Sequence, residues 1–145
     1  MPELYLPAWI VWALLSAVFA ALTAIFAKIG VENIDSDLAT FIRTVVILVV
    51  LGSILFARGH LQPFSAVSGR TYLFLLLSGL ATGASWVCYF RALKLGDAAR
   101  VAPVDKLSVV LVAVFGVAFL SEQLAPHHWV GVLLITAGVI FIAIS

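Results

Sequence analysis

Charged residues are scarce in this chain. Lys, Arg, Asp and Glu make up 10% of its 145 residues, against roughly 25% in an ordinary soluble domain. The net charge is +1, so the sequence offers no basic surface for nucleic acid. Because 64% of the residues are hydrophobic, the composition is that of a protein whose solvent is the lipid bilayer.

Cysteine is almost absent too, and the groups that catalysis or metal binding requires are missing. Cys88 is the one cysteine and has no partner for an intrachain disulfide. His127 and His128 are adjacent, so their side chains project in different directions, and neither has a cysteine or carboxylate nearby at metal-ligand spacing. No nucleophile–base pair or pair of carboxylates is found. We therefore expect neither an enzyme nor a metal or cofactor site.

Long apolar runs are what the chain has instead, and five of them approach the roughly 20 residues needed to cross a bilayer. The predicted helices cover residues 8–28, 38–57, 71–93, 98–120 and 127–144. Only the connection at residues 58–70 is longer than a short turn. The sequence thus predicts an all-α integral membrane protein, with a single five-helix bundle over residues 1–145.

The few cations fall mainly on one side of the membrane. With five spans the termini lie on opposite sides, and we call the side of the N-terminus side A and the other side B. Side A receives Arg58 and Arg70, whereas side B receives Lys28, Arg43, Arg91, Lys94, Arg100 and Lys106. The positive-inside rule then places side B in the cytoplasm. Three of the side-B cations lie within spans, however, so insertion in either orientation stays open.

One segment, VAPVDKLSVV at residues 101–110, places charges inside an apolar helix. Asp105 is the only acid expected within a span, and adjacent helical residues point in different directions, so Asp105 and Lys106 should not pair with each other. We expect Pro103 to kink the helix, Arg43 to hold Asp105 in the interior, and Lys106 to face a solute pathway. The alternative is purely architectural, with an Arg43–Asp105 bridge and Lys106 snorkelling to the interface.

One polar and two aromatic residues on the third helix form a second candidate feature. Thr82, Trp86 and Tyr89 recur at helical spacing, from mid-depth towards side B. Intramembrane aromatics at this spacing either fill a protein core or stack on an organic solute.

The last helix carries a face suited to contact between two copies of the chain. Lipid offers no hydrophobic drive between helices, so close contacts are marked by small residues. The face is formed by Gly131, Leu134, Ile135 and Gly138.

Three stretches resemble the EamA-type repeat of the drug/metabolite transporter superfamily. They are LATFIRTVVILVV at residues 38–50, YFRALKLGDAARVAPVDKLSVV at residues 89–110 and VAFLSEQLAPHHWVGVLLITAGVIFIA at residues 117–143. Within the last stretch, GVLLITAGV also resembles the dimerising last helix of small multidrug resistance proteins. Transporters of the EamA type usually have ten helices in two inverted five-helix repeats, whereas this chain has one repeat. Small multidrug resistance proteins carry a glutamate in helix 1 that is missing here, so proton coupling through it cannot be carried over.

The resemblance implies a secondary transporter of a small metabolite or drug-like solute, in the inner or plasma membrane of a prokaryote. One repeat encloses half a pathway, so we expect a homodimer that works by alternating access. Inverted halves favour an antiparallel dimer, although the charge bias towards side B argues against it. The expected pathway residues are Lys106, Trp86, Tyr89, Arg43 and Asp105. An accessory membrane subunit that functions only with a different partner chain is the alternative.

Overall fold

The computed structural model describes residues 7–59, 63 and 67–144, and every regular element among them is a helix. The helices are α1 (Ala8–Val31), α2 (Ser36–Ala57), α3 (Gly69–Leu95), α4 (Ala98–Asp105), α5 (Leu107–Leu120) and α6 (Pro126–Ile144). Five segments are long and apolar enough to cross a membrane, with α4 and α5 together forming the fourth, Ala98–Leu120. The prediction of an all-α protein with five spans is therefore confirmed.

The helices begin at residues that can accept hydrogen bonds from the unpaired amides of the first turn. The Asp35 side chain caps α2 by accepting from the amides of Asp37 (2.9 Å) and Leu38 (3.1 Å). At the start of α4 the Asp97 carbonyl accepts from the amides of Arg100 and Val101, and the Asp97 side chain makes no capping bond. The chain leaves α5 through Ser121, which adopts the left-handed conformation at φ 56°. Short polar caps thus separate long apolar helices.

The chain divides into two compact units, and the first comprises Phe26–Leu95. We call it the α2–α3 unit, because α2 packs against α3 within it. Its buried residues lie near the start of α2 and the end of α3, and they include Ala39, Thr40, Phe90 and Leu93. The packed part of this unit is therefore at its side-B end.

The second unit comprises Met1–Ile25 and Gly96–Ser145. We call it the α4–α6 unit, because both α4 and α5 pack against α6. Its buried positions include Gly116 on α5 and Val139 on α6. Gly116 is covered by the Glu122 side chain of the segment that connects α5 to α6, where a Cβ atom would leave no room for the carboxylate.

Most apolar side chains of the spans are exposed on the chain itself. Within the most apolar stretch of each span, between 6% and 11% of the residues are buried. Exposed large hydrophobics occur along every span, for example Phe19 on α1, Leu48 on α2, Leu75 on α3 and Phe141 on α6. In a bilayer such surfaces contact lipid tails or other membrane helices.

Candidate functional site

The candidate site lies in the α2–α3 unit, where an arginine of α2 stacks on aromatic rings of α3. The guanidinium carbon of Arg43 lies 2.8 Å from the centroid of the Trp86 ring and 5.7 Å from that of Phe90. The two rings are themselves stacked, with centroids 6.4 Å apart and an interplanar angle of 20°. Trp86 and Phe90 are four residues apart on α3, so both project towards the same part of α2.

Arg43 makes no hydrogen bond or ion pair to any residue that the structure describes. Its guanidinium instead lies against the aromatic rings of Trp86 and Phe90. The side chain is half-buried, and it lies seven residues beyond the first residue of α2, or about 10 Å along the helix axis. No fully buried side-chain nitrogen in the described residues lacks a partner, so the N–H groups of Arg43 keep some accessible surface. The guanidinium is therefore a reachable cation inside a membrane span.

The other cations at this end of the unit are all bound to protein oxygen atoms. Arg91 of α3 donates two hydrogen bonds to Asp37 of α2, from Nε to Oδ1 (3.1 Å) and from Nη2 to Oδ2 (2.7 Å). Both side chains of this bridge are more than half exposed. Lys28 donates to the Leu93 carbonyl (2.7 Å), and Lys94 donates to the Ile34 carbonyl. These contacts fasten the side-B ends of α1, α2 and α3 together around Arg43.

Three of the predicted pathway residues come together in this unit. Arg43 contacts Trp86, and the half-buried Tyr89 lies one turn further along α3. Phe90 was not among the predicted site residues, although its spacing of four from Trp86 is the signal that could have identified it. A role of these residues in a solute pathway stays a prediction.

The α4–α6 unit contains the remaining predicted pair, Asp105 and Lys106. Lys106 Nζ donates to Asp105 Oδ2 at 3.2 Å, with 55% of the lysine and 34% of the aspartate side chain exposed. The expectation that these neighbours face different partners is therefore wrong. The backbone remains helical up to Lys106, which has φ −70° and ψ −4°, so the helix break at Lys106 does not bring the two residues together. The lysine side chain is long and more than half exposed, which lets it fold back onto the neighbouring carboxylate.

The interruption occurs three residues after Pro103, which lies inside α4. Proline has no amide hydrogen, so the Ala99 carbonyl loses its usual helical donor. The Lys106 amide donates to the carbonyls of both Ala102 (3.3 Å) and Pro103 (3.0 Å), which tightens the last turn of α4. An Arg43–Asp105 ion pair stays a prediction, and the structure gives each of the two residues an interaction within its own unit.

A second correction concerns the acids. Asp105 was expected to be the only acid within a span, but α2 begins at Ser36 rather than at residue 38, so Asp37 lies inside it. The Asp35 cap explains the earlier start, because it satisfies the amides of the first turn. The ion pair between Asp37 and Arg91 was not predicted, because Asp37 was expected to lie before the start of α2.

The predicted dimer face on α6 is open in the described chain. Leu134 is 68% and Ile135 43% exposed. A Cβ atom added at Gly131 or Gly138 would meet no atom within 4 Å. A second copy could therefore approach this face, and its use in self-association stays a prediction.

Comparison with known proteins gives three findings. Residues 7–144 match the EamA-like transporter family. A Sinorhizobium sp protein named an uncharacterized transporter in the cobO 3'region is 65% identical over 136 residues, which cover 94% of this chain and 96% of that protein. A Salmonella newport (strain SL254) protein named a probable 4-amino-4-deoxy-L-arabinose-phosphoundecaprenol flippase subunit, ArnE, is 32% identical over 105 residues, covering 66% of this chain and 94% of that protein. No solved structure matches the chain significantly.

Proposed function

Because the chain belongs to the EamA-like transporter family, we propose that it is a secondary transporter of a small metabolite or drug-like solute, working as a homodimer by alternating access. Its location would be the inner or plasma membrane of a bacterium, as expected for a relative of bacterial transporters. The observation that carries the proposal is Arg43, a reachable cation stacked on Trp86 within a membrane span.

An arginine inside a span is retained at a cost. Insertion scales place an arginine at the centre of a membrane helix at about 2.5 to 3.5 kcal/mol above the apolar alternative, and the cost is lower for Arg43, which lies about 10 Å from the first residue of α2. Contact with an aromatic ring offsets about 0.5 to 2 kcal/mol, depending on how dry the contact is. A solute that binds the guanidinium would offset the cost further.

The proposal of two copies rests on the number of spans. The chain has five, whereas the EamA-type fold that it resembles usually has ten in two inverted repeats. Two copies in opposite orientations would supply both halves and a site near the midplane. The α6 face at Gly131 and Gly138 is accessible for such a contact.

The test of this proposal uses protein purified alone and reconstituted in liposomes. We expect a dimer by cross-linking and mass measurement in mild detergent, and saturable uptake of at least one solute from a metabolite and drug panel. The variant Gly138→Leu should lose dimer formation and saturable uptake together. A monomer that transports at the full rate would contradict the homodimer.

Orientation can be measured separately. Arg58 is exposed just beyond the side-A end of α2, so a cysteine placed there reports on one side of the membrane once the exposed Cys88 has been replaced by alanine. An impermeant thiol reagent should label about half of the Arg58→Cys molecules from either side if the dimer is antiparallel. Labelling from one side only would contradict that arrangement.

A second candidate is an accessory subunit that functions only with a different partner chain. The observation favouring it is that the similar Salmonella protein is itself named a flippase subunit. This candidate predicts that purified protein is inactive alone and that activity appears only when a second five-span chain is co-expressed. Activity of the chain by itself would remove it.

A further inference from the structure

We infer that Arg43, Trp86 and Phe90 form a binding site for a singly charged oxyanion, either a phosphodiester or a carboxylate. The inference rests on the proposed function, because it names the chemical class of the group that the transporter would hold at this site. It does not need flux to be measured, since binding can be followed on the purified protein.

The first argument is the contrast between Arg43 and its neighbours. Lys28, Lys94 and Arg91 each donate to an oxygen atom of the protein, whereas Arg43 donates to none in the described part of the chain. A guanidinium has five N–H donors in one plane. Trp86 contacts the guanidinium without accepting any of these hydrogen bonds through an oxygen atom, which leaves the N–H donors to an acceptor from outside the protein.

The second argument is the shape of the donor. An arginine held flat against a ring has its fork fixed in orientation, and the fork fits a carboxylate or phosphate through two parallel hydrogen bonds. The guanidinium carbon of Arg43 lies over the Trp86 ring and close to Phe90, and these contacts restrict where the fork can move. A lysine, which is a flexible point charge, would not have this selectivity.

The third argument is the charge balance at the packed end of the α2–α3 unit. Residues 26–43 and 86–95 contain four basic side chains, against three acidic ones, so their formal charge is +1. The acids are Glu32, Asp35 and Asp37, and the bases are Lys28, Arg43, Arg91 and Lys94. One negative charge neutralises this end, which is why we infer a phosphodiester or a carboxylate rather than a doubly charged phosphate.

The rings provide a direct probe of binding. Replacing the other tryptophans by phenylalanine (W9F, W12F and W129F) leaves Trp86 as the only indole, and two of the three replaced residues are at least 70% exposed. An anion that bonds to the fork alters the field at the stacked indole, so its emission should change and saturate. The fluorescence of Trp86 therefore reports on the site itself.

The experiment titrates this single-tryptophan protein in neutral detergent with named probes. Dimethyl phosphate and hexanoate represent soluble anions, dihexanoyl phosphatidylglycerol represents a lipid headgroup, and uncharged dihexanoylglycerol is the control. Saturation with the anions and not with the control is expected. A response to phosphatidylglycerol alone would assign the site to lipid, and a response to the soluble anions as well would assign it to the oxyanion group itself.

Variants test the role of the fork. R43Q should weaken binding about ten- to hundredfold, the range expected for hydrogen bonds to a charged group. R43K keeps the charge and should weaken binding severalfold, which keeps the test informative if R43Q fails to fold. The matched control is R70Q, because Arg70 also lies beside a ring, 5.8 Å from Phe74, but at the exposed start of α3. It should bind as the parent does.

Three results would overturn the inference: no response to any anion, an equal response in R43Q, or undiminished affinity in R43K. The proposed function can fail independently of it. Liposomes without flux, made from protein that still binds anions, would refute transport alone. Flux in liposomes made from parent protein that binds none of the anions would refute the anion site alone.

Discussion

The contact between Arg43 and Trp86 should be measurable as a coupling energy. Removing the ring with Trp86→Leu, the charge with Arg43→Gln, and both together forms a double-mutant cycle. Cation–π contacts stabilise by about 0.5 to 1 kcal/mol when exposed and by about 2 kcal/mol or more when dry. Since Arg43 is half-buried and its carbon lies 2.8 Å from the ring centroid, we expect a coupling of about 1 to 2 kcal/mol.

The assay is reversible unfolding in mixed micelles titrated with sodium dodecyl sulfate, followed by circular dichroism. Trp86→Leu alone should cost more than the coupling, because it also removes the Trp86–Phe90 stack, worth about 0.5 to 1.5 kcal/mol beyond the buried area. The matched control is a second cycle on Arg70 and Phe74, whose 5.8 Å contact is exposed and should show a smaller coupling, of about 0.5 kcal/mol.

A coupling near zero for Arg43 and Trp86 would refute the reasoning, because the stacked geometry would then contribute nothing to the folded state. Equal couplings in the two cycles would also count against it, since burial is what should separate them. A strongly unfavourable coupling would mean that Arg43 has another partner once the ring is removed.

Three further predictions follow from contacts described above. Gly138→Leu should shift the protein towards monomer in cross-linking, since the larger side chain blocks close approach of two α6 helices, and an unchanged dimer would move the interface elsewhere. Asp35→Ala should lower the free energy of unfolding by about 1 kcal/mol through loss of the α2 cap, with Asp35→Asn as the matched control that should restore most of it. Asp105→Asn and Lys106→Ala should each change stability by less than about 1 kcal/mol, because an exposed pair contributes little. Lys106→Ala should reduce uptake more than Asp105→Asn does, and full uptake in both variants would remove the pair from the pathway.

The helices could be predicted from sequence because their signal is local. Length and apolar composition define the five spans without any knowledge of neighbours. The cap of α2 was less certain, because Asp35, Ser36 and Asp37 are all residue types that can cap a helix, and the structure has Asp35 in that position. The ends of the five observed spans differ from the predicted bounds by three residues at most, as at the end of α1, which reaches Val31 instead of residue 28, whereas the break of the fourth span at Lys106 was not predicted.

Pairing between side chains could not be predicted in the same way. It depends on how each helix is rotated about its axis, and on where the helix starts and breaks. Moving the start of α2 back by two residues brings Asp37 into the helix opposite Arg91. Asp105 and Lys106 likewise form a pair that their helical spacing did not predict, because the long, exposed lysine side chain folds back onto its neighbour. The charge of Arg43 suggested an acidic partner, whereas in the structure its guanidinium lies over the ring of Trp86.

The distance along the chain between Arg43 and its ring has a consequence for biosynthesis. Trp86 is 43 residues after Arg43, so at about 5 to 20 residues per second the arginine waits roughly 2 to 9 s for its partner to be translated. During that interval α2 must enter the bilayer with an unshielded charge. It is one of the two most apolar spans in the chain, together with α1, whereas α3, which carries the ring, is the least apolar of the five. The nascent chain thus synthesises its two most apolar spans, α1 and α2, before the less apolar α3 that carries Trp86.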